Sequence, residues 1–100
     1  MKNGYRIEWT DNALTELKST FEYIETNWTE RELRKLSIEI ERTLSLISDN
    51  PNVFPLTKNR NIRKVVVKKL NTLYYRKKDD EVVEILSFFS NRQSPDKRKI

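Results

Sequence analysis

Nine lysines and arginines fall between residues 50 and 78 without one aspartate or glutamate among them: Lys58, Arg60, Arg63, Lys64, Lys68, Lys69, Arg76, Lys77 and Lys78. A surface of that sign attracts anions. Phosphate backbones are the common target, and the interleaved Tyr74 and Tyr75 offer ring faces on which a base can stack. The flanking segments have the opposite sign, residues 1–49 carrying net −3 and residues 79–100 net −1 within a total of +5. A plainer reading is that exposed strands use lysine to block edge-to-edge aggregation and that tyrosines suit sheets. The complete absence of acid over 29 residues exceeds what solubility asks for and favours a binding surface.

What the chain lacks narrows the chemistry further. It has no cysteine and no histidine, which removes thiol nucleophiles, Ser-His-Asp triads, imidazole bases and Cys/His zinc sites. Its only glycine is Gly4, so glycine-rich nucleotide-binding loops are absent too. Any catalysis falls to Arg, Lys, Tyr, Asp, Glu, Ser or Thr. Asp79, Asp80, Glu81 and Glu84 invite a metal-site reading, yet Asp-Asp suits a hairpin turn and Glu84 then alternates outward on the following strand, so no metal or other cofactor is expected. Trp9 and Trp28 are read as core or core-edge residues rather than a ligand cage.

The elements that must carry these residues are legible from periodicity. Three runs dense in Val, Ile, Leu, Tyr and Phe, residues 62–68, 70–78 and 82–89, are separated by breaks too short for crossover helices and therefore form an antiparallel meander. Ahead of them, Tyr5, Ile7 and Trp9 alternate with Arg6 and Glu8 as in a half-buried strand. Thr10 and Asp11 offer caps for a helix over about residues 11–27, with Ala13, Leu14, Leu17, Phe21, Ile24 and Trp28 at helical spacing. Thr29 and Glu32 form a capping box for a second helix carrying Leu33, Leu36, Ile40, Leu44 and Ile47 and stopping before Pro51. The join is so short that the helices must fold back as an antiparallel hairpin with both stripes facing the sheet. The expected fold is α+β, β-α-α-β-β-β, with Leu17, Phe21, Ile24, Leu36, Ile40, Leu44, Val65, Val67, Val83 and Ile85 largely buried. Val53, Phe54 and Leu56, in the loop between Pro51 and Asn61, are expected to plug the core edge. Residues 96–100 are expected to fray.

One hundred residues are read as one domain, with 36% apolar and 35% charged residues, no room for an enclosed cofactor cavity and no run long enough to span a membrane. With no cysteine and no apolar leader stretch, the expected location is the cytoplasm.

The order and spacing of several short motifs then carry a resemblance. An opening strand ends at Trp9-Thr10 before a helix with Ala13 and Leu17; Tyr23-Ile24 follows, and a second helix closes on Pro51. Arg63 enters the sheet, followed by Leu73-Tyr74-Tyr75-Arg76, the turn Asp79-Asp80-Glu81, Val82-Val83-Glu84-Ile85-Leu86 and a closing Phe88-Phe89-Ser90-Asn91-Arg92-Gln93-Ser94-Pro95. Over about residues 5–95 the chain resembles toxins of the RelE/ParE superfamily from bacterial type II toxin-antitoxin systems. That resemblance implies a cognate antitoxin as partner, a toxin-antitoxin hetero-oligomer, and one of two targets.

RelE-like members cut messenger RNA in the ribosome, which needs a base for the 2′-hydroxyl proton, cations for the phosphorane and an acid for the leaving oxygen. Arg63, Arg76 and Arg92 would be the catalytic cations. Such nucleases often place a Tyr or His near the end of the sheet, where this chain reads Phe88, Phe89, Ser90 and Asn91. ParE-like members act on DNA gyrase by binding and need no acid/base pair, so the resemblance points towards gyrase. On that reading Lys58, Arg60, Arg63, Lys64, Lys68, Lys69, Tyr74, Arg76, Asn91 and Arg92 form the target- or nucleic-acid-binding surface. Arg92 has a structural alternative in pairing with a helix carboxylate. From another class, a small basic and aromatic sheet backed by two helices also matches a non-toxic RNA-binding module.

Overall fold

The computed structural model describes residues 4–90, and its elements run β1 (Arg6–Trp9), α1 (Asp11–Asn27), α2 (Glu30–Asp49), a 3₁₀ turn (Pro51–Val53), β2 (Arg63–Val67), β3 (Asn71–Lys77) and β4 (Val82–Ser90). Each helix starts where a threonine can cap it. Thr10 accepts from the Ala13 amide at 3.1 Å and Thr29 from the Glu32 amide at 3.2 Å, each satisfying a donor that has no intrahelical partner. Pro51 ends the second helix, with Asn50 extended at φ −154°.

The sheet order is β1-β4-β3-β2, with β1 parallel to β4 and the other pairs antiparallel. The last three strands form the expected meander. Its first turn is longer than the hydrophobic pattern implies: Lys68 and Lys69 take the left-handed region at φ 54° and 69°, which removes Lys68 and Leu70 from the strands. That conformation costs roughly 1–2 kcal/mol per L-residue. At the start of β3 the Asn71 side chain donates through Nδ2 to the Val67 carbonyl at 2.9 Å, closing the turn.

Both helices lie on one face of this sheet and bury Ile24, Leu36, Ile40 and Ile47 against Val67, Leu73, Tyr75, Val83, Ile85 and Phe88. Leu17, Phe21, Leu44 and Val65, expected in the core, pack against it while keeping some exposure. Trp9 packs likewise, whereas Trp28 sits at the rim, 51% exposed. Leu14 follows the helical spacing yet faces outward at 47% exposure. Residues 91–95 and the tail expected to fray, residues 96–100, lie outside the described residues.

The parallel strand β1 is short, and its brevity creates a problem that α1 solves. Pairing with β4 ends at Trp9 opposite Ile85, which leaves residues 86–90 of β4 without a strand on that side. Leu86 is moreover an extra residue, because Tyr74 faces Ser87 while Tyr75 faces Ile85. The first turns of α1 take over the vacated edge. Thr10 donates through its amide to the Ile85 carbonyl at 3.0 Å, and the Asn12 side chain donates to the Leu86 carbonyl at 3.0 Å. Glu16 Oε1 accepts from the Phe88 amide at 2.9 Å and the Ser87 hydroxyl at 2.6 Å. At the other end of β1, Gly4 approaches α2 so closely that a Cβ would collide with Ser48 Oγ, and the Tyr5 amide donates to the Ser48 carbonyl at 2.9 Å.

Glu16 thus pins the bulge. Glu16→Ala should lower the free energy of unfolding by about 1–3 kcal/mol, since it strands two part-buried donors. Urea denaturation monitored by circular dichroism measures this; an unchanged midpoint would mean that the bulge holds without the carboxylate.

Candidate functional site

The register of β2, β3 and β4 sorts the basic block into two groups. Lys64, Val66, Thr72, Tyr74, Arg76, Glu84 and Phe89 share the face turned away from the helices, because side chains alternate along each strand. Across that face Arg76 opposes Glu84, and Arg76 Nε donates to Glu84 Oε1 at 2.8 Å. Lys78 Nζ lies 3.7 Å from Glu8 Oε1, and Lys77 Nζ sits 5.7 Å from the centroid of the Tyr5 ring. The β3 end of the block is therefore occupied with its own protein.

Arg63 is engaged in a different way. It stands opposite Tyr75 on the helix-facing side, half-buried, and its Nη1 donates to the Phe54 carbonyl at 2.7 Å. Tyr75 is fully buried and its hydroxyl donates to the Pro51 carbonyl at 2.7 Å. Together they lace the segment after α2 to the sheet. Tyr75 is accordingly not the stacking surface that its sequence position beside Tyr74 implies: consecutive strand residues face opposite ways, and its odd-numbered face is the core. The same lacing corrects the expectation for the loop. Phe54 packs against the core, but Val53 and Leu56 are each 44% exposed, since the Leu56 backbone bridges to Arg63 and its side chain is turned outward.

What remains is a free set. Lys58, Arg60, Lys64, Lys68 and Lys69 meet no carboxylate among the described residues. All five lie on β2, the turn after it or the loop before it. Leu56, Thr57, Lys58, Asn59, Lys64 and Tyr74 enclose an open concavity of about 630 Å³ on the outer face. The loop rim is stiffened internally: Thr57 Oγ1 accepts from the Asn59 amide at 3.0 Å and Asn59 Oδ1 from the Asn61 amide at 2.9 Å. Its lining sets the positive charges of Lys58 and Lys64 beside an aromatic and a leucine, Tyr74 and Leu56.

Of the residues expected to form the site, the fold brings Lys58, Lys64 and Tyr74 together and places Lys68 and Lys69 in the turn after β2, where Lys68 lines a small cleft with Ile24, Trp28, Glu32 and Leu36 of the helices. Arg76 stands on the same face but is paired, and Arg63 points into the body of the protein. Asn91 and Arg92 lie outside the described residues. The acidic turn is a turn in the plain sense, Asp79 Oδ1 accepting from the Glu81 and Val82 amides at 2.7 and 2.9 Å. Sequence reasoning missed the Arg76–Glu84 bond and the roles of Leu56 and Phe89. The first was within reach: a short turn at residues 79–81 sets Arg76 opposite Glu84 once the register is drawn. Phe89 is the second aromatic on the outer face, 39% exposed, two residues beyond Ser87, the partner of Tyr74.

Known proteins share both the sequence pattern and the fold. The sequence matches the family described as ParE toxin of type II toxin-antitoxin system, parDE, over residues 7–95. The fold is similar to a solved structure titled "Chromosomal ParDE TA system from P. aeruginosa", with TM-score 0.70, 13% identity, and coverage of 86% of this chain and 95% of that one. It is also similar to TrmO from Pseudomonas aeruginosa, with TM-score 0.54 and 17% identity over 90% of this chain but only 37% of the other. At these identities both likenesses concern the fold alone. A comparison with curated proteins gives no match.

The burial of Tyr75 has a consequence that alkaline titration can read. Burial raises its hydroxyl above the ordinary tyrosine value of 10.0, against the opposing pull of the Phe54 backbone and the Arg63 charge. A folded-state value above the unfolded one means that the stabilisation is fully present below the unfolded value and is lost as pH rises through the folded one. Tyr75→Phe should therefore flatten the fall in stability above about pH 10, while losing the hydrogen bond to Pro51 at every pH. Thermal melts of both proteins across that range measure it, and parallel pH profiles would contradict it.

Proposed function

The chain belongs to the ParE toxin family of type II toxin-antitoxin systems, and from that premise we propose that it is a growth inhibitor that acts on DNA gyrase by binding and is neutralised by a co-encoded antitoxin. The observation that carries this choice is the engagement of the arginines. A ribosome-dependent nuclease would need Arg63 and Arg76 free to stabilise a phosphorane and a nearby group to move protons. Here Arg63 donates into the Phe54 carbonyl, Arg76 into Glu84, and the Tyr75 hydroxyl into Pro51. A binding toxin asks for none of these groups. It asks for a charged surface, and the β2 side supplies one.

The antitoxin segment that fits this surface combines carboxylates for the free lysines with apolar anchors for Val66, Leu56 and Phe89, which are 58%, 44% and 39% exposed. Such a segment folds on binding, and salt weakens the complex only in part, because apolar burial is not screened.

Induction in a bacterial host should arrest growth and trigger DNA-damage signalling, and the purified protein should inhibit gyrase supercoiling until its antitoxin is added. Primer extension on messages from induced cells provides the contrary test. Cuts at defined ribosomal A-site positions, abolished by Arg63→Ala or Arg92→Ala with folding intact, would replace the gyrase reading with a nuclease one.

A further inference from the structure

The outer face of the sheet holds two aromatics, Tyr74 half-buried and Phe89 39% exposed, beside two free lysines, an arrangement that points to a ligand more specific than an anion. Tyr74 and Phe89 sit on adjacent strands as diagonal neighbours, Phe89 two residues past the Ser87 that faces Tyr74. Diagonal positions of this kind lie about 7–8 Å apart, within the reach of aromatic rings. Between them and the β2 edge lie Thr72, half-buried, and Val66, 58% exposed, so the floor is flat and largely apolar. At its border stand Lys58 and Lys64, which line the concavity.

We propose that this face binds a single strand of DNA, its bases stacked on Tyr74 and Phe89 and its phosphates on Lys58 and Lys64. Three features favour that occupant over its rivals. A duplex keeps its base faces stacked inside, so it would leave both rings and Val66 against water. A mononucleotide fits the 630 Å³ concavity at Lys58, Lys64 and Tyr74 but does not also reach Phe89, which lies outside its lining. An extended strand reaches both. The choice of DNA over RNA rests on the gyrase reading, since that target works on DNA. In that setting the toxin touches enzyme and nucleic acid together, and its affinity for the target rises when DNA is present.

Fluorescence anisotropy of the purified chain with a labelled mixed-sequence oligonucleotide of about 12 nucleotides tests this, that length falling within the range of known single-strand sites. The same sequence as duplex DNA and as single-stranded RNA serves for comparison. The single DNA strand should bind best. Tyr74→Ala and Phe89→Ala should each weaken it by about 5- to 150-fold, the range that one stacked base provides, while Tyr74→Phe restores binding. With two phosphates engaged, the slope of log affinity against log salt should be about −1.4, and Lys64→Gln should bring it nearer zero by about 0.7. Absent binding, equal or tighter binding of duplex or RNA, or indifference to both alanine variants would each overturn the proposal. Supercoiling inhibition read on the same preparations separates the two claims: inhibition without DNA-strand binding discards this inference alone, and strand binding without inhibition discards the gyrase reading.

Discussion

Strand order decides where this protein is positively charged. The carboxylates of the sheet stand on β1 and β4, as Glu8 and Glu84, and the order β1-β4-β3-β2 puts them within reach of β3 but not of β2. Neighbouring strands lie about 4.7–4.9 Å apart, so an acid on β4 is some 10 Å from a lysine on β2. That is about the Debye length in ordinary buffer. Arg76, directly opposite Glu84, is therefore paired while Lys64, two strands from it, is not, although both belong to one unbroken basic run in the sequence. The helices carry most of the acid of residues 1–49 and back the opposite face. The fold thus separates charge by topology.

That topology depends in turn on two sets of polar bonds made by residues that composition alone would assign to the surface. Glu16, Asn12 and Thr10 let α1 stand in for the missing end of β1, and they hold the bulge at Leu86 that turns Phe88 inward and Phe89 outward. Arg63 and Tyr75 hold the Pro51–Phe54 stretch against the sheet, which fixes the loop carrying Lys58 and Arg60. Backbone carbonyls that would otherwise be buried without partners accept these bonds, so the stretch cannot retract without leaving them unsatisfied. Arg63, one of the arginines that looked chemical in the sequence, is in this sense structural.

Much of this fold was legible because its signals are periodic. Leu36, Ile40 and Ile47 repeat at helical spacing, Thr29 and Glu32 mark a helix start, and the short breaks at residues 68–70 and 78–81 leave no option but hairpins. The parallel placement of β1 was not legible, because a four-residue strand with one alternating face pairs with any edge. Tyr75 shows a subtler limit. Its neighbour Tyr74 has the same chemistry, and only the parity fixed by the register assigns one to the core and the other to the concavity. Arg63 and Arg76 were legible as cations, but their internal bonds were not, since those bonds depend on a carbonyl at Phe54 and a carboxylate at Glu84 that the fold brings to them. The family was legible from motif order, and the match over residues 7–95 places the chain within its ParE branch.

The central claim is that the free cations beside β2, rather than the arginines, carry the activity. Growth after induction tests it most directly when two double variants are compared at matched protein levels. Arg76→Gln with Glu84→Gln replaces an ion pair by a neutral pair on the same face and should leave growth arrest intact. Lys58→Gln with Lys64→Gln removes two free charges at the concavity and should relieve it. Arrest that survives loss of the lysines but disappears with the Arg76–Glu84 exchange would contradict the account.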